Sequence, residues 1–378
     1  MKINVFQPSL GWRELLAVYG TFRRSWVGKG SLVARFEREF AEIMFPGEDL
    51  VAPKHFVSIS SCTEGLFMAM QLLNIGPGAE VIIPSIHFVG AANAVLACGA
   101  KPVFCDVMWG TLTTNQQLIA DQITSRTKAV ILLHYGGYPV DDLDHITFMC
   151  HQRGIFLIED SANSIGAKVQ GGACGTWGDI GLWSFDAMKQ ITTGDGGMIY
   201  CRDLEVANRA RRLSFLGLDK SSGFTSQDLR WWEFDVSEPA RRSEMNDLQA
   251  AIGLVQLKRL PGFIRRRKEI TRRYRKELGY YAGVYLPPDR PNGTESSDYF
   301  FWVQTPQRDR LALELKARGI YTTFRYYPLH KVPLYGATAA LPGAERAAEF
   351  TLLLPLHPAL TNLQVQYICH CVKEIVKS

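Results

Sequence analysis

The strongest constraint on this chain is an alternation running through its first two hundred residues. Short runs rich in Val and Ile are separated by helix-like stretches of small and apolar residues. The runs are Phe56-Val-Ser-Ile59, Val81-Ile-Ile83, Pro102-Val-Phe104, Ala129-Val-Ile-Leu-Leu133, Ile155-Phe-Leu-Ile158, Gly181-Leu-Trp-Ser-Phe185 and Gly197-Met-Ile-Tyr200. Runs that are apolar on both faces belong to buried strands, and strands joined through helices form a mostly parallel sheet covered on both sides. Thr63 to Leu73 reads as a buried helix, and Gly99 stops another after Asn93 to Cys98. Ligands of such sheets bind beyond the carboxyl ends of the strands, so the residues after each run are the first candidates for function.

The alternation breaks over residues 217–240, where Gly217 to Ser226 and Trp231-Trp232 read as a loop. A long helix from Met245 to about Leu278 follows, which Pro261-Gly262 should kink or split. Strand-like Tyr299 to Val303, helix-like Leu311 to Arg318, strand-like Ile320 to Thr323 and a helix from about Asn362 to Val376 complete a smaller α/β unit. The expected division is a large domain over 1–240, with a connecting helix and small C-terminal domain over 241–378; 378 residues suffice for two domains.

Composition excludes several classes. With 42 Lys+Arg against 37 Asp+Glu, and the densest basic run (Arg265-Arg-Arg-Lys268) inside helical sequence, the charge reads as a solvated helix face rather than a track for nucleic acid. Residues 81–100 lack charge but are interrupted by Pro84, Ser85, His87 and Asn93, which argues against a membrane span. The eight cysteines contain no C-x-x-C pair and suggest reduced thiols rather than a metal site, and the N-terminal residues lack a signal-peptide core, so a cytoplasmic location is expected. Gly175-Thr-Trp-Gly-Asp-Ile-Gly181 is not a G-x-G-x-x-G loop, and neither a Walker A sequence nor a G-x-S-x-G elbow is present.

The informative pair is Asp160, at the end of a strand in Ile158-Glu-Asp-Ser-Ala-Asn163, and Lys189, in a loop between two strands. Each alone has an ordinary reading, a helix cap for the acid and a solvated side chain for the lysine. Together they are what pyridoxal phosphate demands: a lysine for the Schiff base and an acid to keep the pyridine nitrogen protonated. The lysine then has a second task as proton carrier once an amine substrate displaces it.

With these residues in place the chain resembles the DegT/StrS-type sugar aminotransferases, within the fold-type I pyridoxal-phosphate enzymes. The resemblance runs through Ser25-Trp-Val-Gly-Lys-Gly30, Phe36-Glu-Arg-Glu-Phe-Ala41, Ser61-Cys-Thr63, Ile83-Pro-Ser-Ile-His-Phe88, Gly99 to Asp106, His134-Tyr-Gly-Gly137, Glu159-Asp160, Ser184 to Gly197, Met245 to Leu257, Tyr326-Tyr-Pro-Leu-His330 and Leu354-Pro-Leu-His357. It implies that Ser61, Cys62, Thr63 and Ser184 hold the cofactor phosphate at a helix N-terminus, that Phe88 lies against the pyridine ring rather than serving only as core, and that Asn163 meets the ring hydroxyl. His134 is expected to support the floor of the site. Arg325 and His330 would face the sugar or its diphosphate, with a structural ion pair as the other reading of Arg325.

There are departures from the family pattern. Cys62 and Asp195 stand where Gly and Glu are common, and Asn163 where Gln is usual. Arg242-Ser-Glu244 replaces an Asn-x-Arg that reaches the partner's active site; Arg242 could bind phosphate bidentately across the dimer or be a charged helix start. Retention of Lys189, rather than the His of dehydratase relatives, points to true amino transfer.

The expected function is a homodimeric aminotransferase with shared active sites, moving an amino group from glutamate to a nucleotide-linked keto-deoxysugar, at C4 as in dTDP-4-keto-6-deoxyglucose enzymes. The alternatives are a 3-aminotransferase, a pyridoxal-phosphate eliminase, or a non-catalytic pyridoxal-phosphate-binding regulator.

Overall fold

The computed structural model describes residues 2–47, 52–219, 232–337 and 339–377, and residues 220–231, within the expected loop, lie outside the described residues. In chain order come α1 (Trp12–Arg23), α2 (Ser31–Met44), β1 (Phe56–Ile59), α3 (Cys62–Leu72), β2 (Glu80–Pro84), α4 (Val89–Ala97), β3 (Lys101–Cys105), α5 (Gln116–Ala120), β4 (Thr127–Leu133), α6 (Leu143–Gln152) and β5 (Phe156–Asp160). Two short strands, β6 (Lys168–Val169) and β7 (Gly172–Ala173), precede β8 (Ile180–Ser184), β9 (Gly197–Cys201) and α7 (Leu204–Ser214). The Val- and Ile-rich runs thus form β1 to β5, β8 and β9. They assemble in the order β1-β9-β8-β5-β4-β2-β3. The sheet is parallel from β8 through β3, and β9 runs antiparallel to both its neighbours.

The strands are buried on both faces because helices cover both. Ile59, Ile131, Ile158 and Leu182 join the core beneath α3, α4 and α7. Their alternating neighbours divide between two clusters: Val130, Leu132 and Leu157 pack with α6, and Phe56 and Trp183 pack with α2 and α8. Successive strand side chains point to opposite faces, so each run supplies two cores at once.

The second half contains α8 (Asp247–Leu278), β10 (Thr294–Glu295), β11 (Phe301–Gln304), α9 (Arg308–Ala317), α10 (Pro342–Phe350), β12 (Thr351–Leu354) and α11 (Asn362–Lys377). Asn246 and Gln249 form a reciprocal capping box that starts α8. Contrary to the expected break, α8 continues as one helix through Pro261. The hydrogen bond that proline removes is offset by packing: α8 lies along α1, α2 and α11, and Leu260 and Phe263 beside the proline are buried. Antiparallel β11 and β12 pack with the end of α8, α9 and α11 around Tyr274, Leu315 and Val372. The strand expected at Ile320 to Thr323 is absent; its ends make single bridges to different segments, Ile320 to Ile3 and Thr323 to Leu353. Among the described residues no helix is long and apolar enough to cross a membrane.

Candidate active site

The ends of β5 and β8, the start of α3 and the segment after β2 meet around a cavity of about 280 Å³. Ser61 caps α3 by accepting from the Glu64 N–H at 3.1 Å, which leaves the leading amides of the helix directed at the cavity edge, where Ser61, Cys62 and Thr63 stand. The beginning of β9 presses on that turn: a Cβ at Gly197 would lie 2.6 Å from Cys62 N. Ser184, paired with Gly197 across the ladder, lines the same wall. Burial and the nearby Asp160 carboxylate raise the Cys62 thiol well above its ordinary pKa, so this cysteine is a neutral wall residue rather than a nucleophile.

Asp160 closes β5 and is almost fully buried. Its Oδ1 accepts from the Ala162 N–H at 2.9 Å, and its Oδ2 lies 3.6 Å from His87 Nε2. Lys189 is held by the turn after β8, in which Lys189 N–H donates to the Asp186 carbonyl at 3.0 Å. Its Nζ donates to Asn163 Oδ1 at 3.1 Å and stands 5.6 Å from the centre of the Tyr299 ring. Burial opposes the ammonium, but Tyr326, Tyr299 and Asp160 outweigh it and raise the lysine pKa. Asn163 is fully buried, and its Nδ2 has no hydrogen-bond partner among the described residues, a donor left available behind the cavity.

Phe88, the N-cap residue of α4, is 43% exposed and lines the cavity with its ring 5.8 Å from that of Tyr326. An aromatic left this open in an otherwise buried segment has a free face for a planar ligand. Arg325 also lines the cavity, with its guanidinium 5.1 Å over Phe6 and Nη2 3.6 Å from Met188 Sδ, and makes no ion pair among the described residues.

Two predicted residues lie elsewhere. His330 is not at the cavity wall: it is buried, its Nδ1 is 2.6 Å from Ser85 Oγ and its Nε2 is 3.2 Å from Glu345, so both ring nitrogens are engaged. Arg242 is exposed, with its guanidinium 5.3 Å over Phe215 and outside the cavity of its own chain. Glu244 pairs with Lys29 at 3.0 Å.

Other residues take positions that their local sequence did not announce. Tyr326, Met188, Asp186 and Asp195 line the cavity, and Tyr299 lies beneath Lys189. The acids at 186 and 195 bracket Lys189 in sequence, which was the available signal. Glu159 is fully buried on the opposite side of β5, accepting from the N–H groups of Gly175, Trp177 and Gly178 and from His134 Nε2. The glycine-rich stretch therefore binds a carboxylate of its own chain. Val140 N–H donates to His134 Nδ1 at 3.1 Å, which fixes the proton of that ring on Nε2.

The profile of the DegT/DnrJ/EryC1/StrS aminotransferase family matches residues 8–373. The chain is 49% identical over 370 residues, covering 97% of its length and 94% of the relative's, to the dTDP-4-dehydro-2,3,6-trideoxy-D-glucose 4-aminotransferase of Saccharopolyspora spinosa. Among solved structures it is similar to the aminotransferase TlmJ from Streptoalloteichus hindustanus, with TM-score 0.94 and 51% identity over 100% of this chain and 99% of that one. It is also similar to Spr1654 of Streptococcus pneumoniae, assigned as a sugar aminotransferase and solved in a PLP form, with TM-score 0.90 and 26% identity over 100% and 99% of the two chains.

Proposed function

This chain belongs to the DegT/DnrJ/EryC1/StrS aminotransferase family, and from that premise we propose that it transfers an amino group from glutamate to C4 of a dTDP-linked 4-keto-deoxyhexose, working as a cytoplasmic homodimer. It is a pyridoxal-phosphate-dependent enzyme acting on nucleotide sugars. The observation that carries the reading is that Lys189, Asp160 and the start of α3 converge on one cavity. The choice of C4 rests on the named activity of the Saccharopolyspora relative.

The residues fit the cofactor. Its phosphate suits the α3 amides with Thr63 and Ser184, its ring cation suits Asp160, its ring face suits Phe88, and Asn163 offers an unpaired donor for the ring hydroxyl. When bound, pyridoxal phosphate supplies the electron sink that lets an amino group leave one carbon and join another. Lys189 would hold it through Nζ, and the same Nζ would carry a proton to and from the reacting carbon. The raised pKa of Lys189 has a consequence here. Burial opposes the charge on Nζ, but Tyr326, Tyr299 and Asp160 together keep it an ammonium, so Nζ must give up a proton before it can act as a nucleophile. Arg325, without a carboxylate partner among the described residues, is suited to an anionic group of the substrate.

The homodimer is supported by the outer face of α1, where Trp12, Leu15, Leu16, Tyr19 and Phe22 are each more than half exposed. Arg242, exposed in its own chain, would then reach the partner's site. The test is the visible spectrum of the purified protein with pyridoxal phosphate. A lysine-dependent yellow band that glutamate bleaches in wild type, and that Lys189→Ala lacks, is the expected result. Product NMR with dTDP-linked 3-keto and 4-keto sugars then separates C3 from C4 amination. A band insensitive to glutamate overturns the donor, and amination only at C3 overturns the regiochemistry.

A further inference from the structure

Tyr299 lies just before β11, in the second half of the chain, and is almost fully buried. Its neighbours hold the ring in place. Phe6 lies nearly parallel to it, with 5.8 Å between centres and 9° between planes, and the Phe300 ring is 4.5 Å away. The Arg267 guanidinium stands 5.3 Å from the ring centre, and Arg267 Nη1 donates to the Tyr299 carbonyl at 3.1 Å. A phenylalanine would fill the same space without burying a hydroxyl, which costs free energy unless it is hydrogen-bonded. Here the hydroxyl is used: it donates to the carbonyl of Met188, 111 residues earlier, at 2.9 Å.

Met188 is the residue before Lys189, so this bond falls on the peptide unit from which the lysine side chain departs. The other polar group of that unit, the Lys189 N–H, donates to the Asp186 carbonyl at 3.0 Å. A peptide unit is planar. With its N–H bonded on one edge and its C=O on the other, the plane cannot turn without breaking a hydrogen bond. The local turn supplies the first of these bonds, and only Tyr299 supplies the second. Burial raises the Tyr299 phenol above its ordinary pKa, so its proton is in place to donate. The same ring stands 5.6 Å from Lys189 Nζ, within reach of a cation–π contact.

We propose that Tyr299 is a positioning residue for Lys189: its hydroxyl fixes the plane of the Met188–Lys189 peptide, and with it the direction in which the lysine side chain enters the cavity. Reaction between two groups held in place is sensitive to displacements on the scale of an ångström, so a loosened peptide costs rate even where the cavity itself is unchanged. The proposal rests on the reading of Lys189 as the residue that takes the cofactor, but one of its tests does not need the cofactor.

The first test compares wild type with Tyr299→Phe, which keeps the ring and its stacking and removes only the donor. The first-order rate at which the yellow band forms at saturating pyridoxal phosphate should fall about 3- to 10-fold, the effect of losing one hydrogen bond, while the dissociation constant of 4′-deoxypyridoxine phosphate, which has no aldehyde to react with Lys189, stays within about twofold of wild type. An unchanged rate overturns the proposal. Equal weakening of the unreactive analogue makes Tyr299 a general support of the cavity and overturns it as well. The second test is hydrogen exchange of the cofactor-free protein. The Lys189 amide should be protected in wild type and exchange about 3- to 10-fold faster in Tyr299→Phe. A wild-type amide that exchanges as in an unstructured chain overturns the proposal, even if the variant does not fold. If wild type forms no lysine-dependent yellow band, the cofactor reading fails, and the exchange comparison still decides whether Tyr299 holds the peptide.

Discussion

Replacing Glu159 with Gln should destabilise the protein by about 3–6 kcal/mol, the loss of two buried hydrogen bonds to a charged acceptor. The magnitude follows from four donors. Oε1 accepts from Trp177 N–H and Gly178 N–H, both at 2.7 Å, and Oε2 accepts from Gly175 N–H and His134 Nε2, both at 2.8 Å. Glutamine keeps one oxygen, which can retain one of these pairs. Its NH₂ then faces two donors, and neither can retreat: Gly175 is a backbone N–H, and His134 cannot move its proton to Nδ1 because Val140 N–H already points there. Two hydrogen bonds to a charged acceptor, about 1.5–3 kcal/mol each, are lost and replaced by repulsion. Against a typical stability of roughly 5–15 kcal/mol the loss is severe. Urea unfolding of the cofactor-free protein followed by tryptophan fluorescence measures it. A Gln variant within about 1 kcal/mol of wild type, the range of an ordinary substitution, would refute the reasoning. A double-mutant cycle with His134→Phe should also show coupling of about 0.5–3 kcal/mol.

Other outcomes follow from the same structure. Phe88→Ala should weaken pyridoxal phosphate binding by roughly 2- to 12-fold, the equivalent of about 0.5–1.5 kcal/mol of stacking, while leaving stability nearly unchanged because the ring is 43% exposed; unchanged affinity in a fluorescence titration would rule out stacking. Gly197→Ala should loosen cofactor binding by displacing the start of α3, since its Cβ would sit 2.6 Å from Cys62 N, and a crystal structure of the variant with Ser61 to Thr63 unmoved would contradict this. His357 is buried, and burial together with the neighbouring Arg267 charge lowers its pKa to about 4. Below its unfolded value of about 6.5 the unfolded chain binds the proton and the folded one does not. Stability contributed by the neutral ring is therefore complete above about pH 6.5 and is lost as pH falls toward 4, by about 3 kcal/mol in all. His357→Gln should flatten that stretch of the stability profile in chemical unfolding between pH 7 and 4, and an equally steep profile would show that other groups dominate.

The parts of this site legible in sequence are those whose chemistry is set by one strand and its next few residues. Asp160 could be found because it ends an Ile-rich run, Lys189 because it lies in a loop between two such runs, and Ser61 because it caps the helix that follows β1. His87, Tyr299 and Tyr326 could not be found that way. Tyr326 lines the cavity while Tyr299 and His87 stand behind Lys189 and Asp160, all through contacts between distant segments, and nothing in their immediate neighbours distinguishes them from core aromatics. His330 shows the converse, since its motif suggested the cavity but its ring is taken by Ser85, 245 residues earlier, and by Glu345. The adjacent acids Glu159 and Asp160 show what a pattern can decide once the layers are known. Side chains on a strand alternate between faces. Ile158 packs into the core beneath α3, so Asp160, two residues on, falls on the face where α3 offers its amides; Leu157 packs on the α6 side, so Glu159 falls under the Gly175 to Gly178 turn. The division of labour between two neighbouring carboxylates, one toward the cavity and one toward the loop behind it, is a consequence of the pleat, and shifting β5 by one residue would exchange their roles.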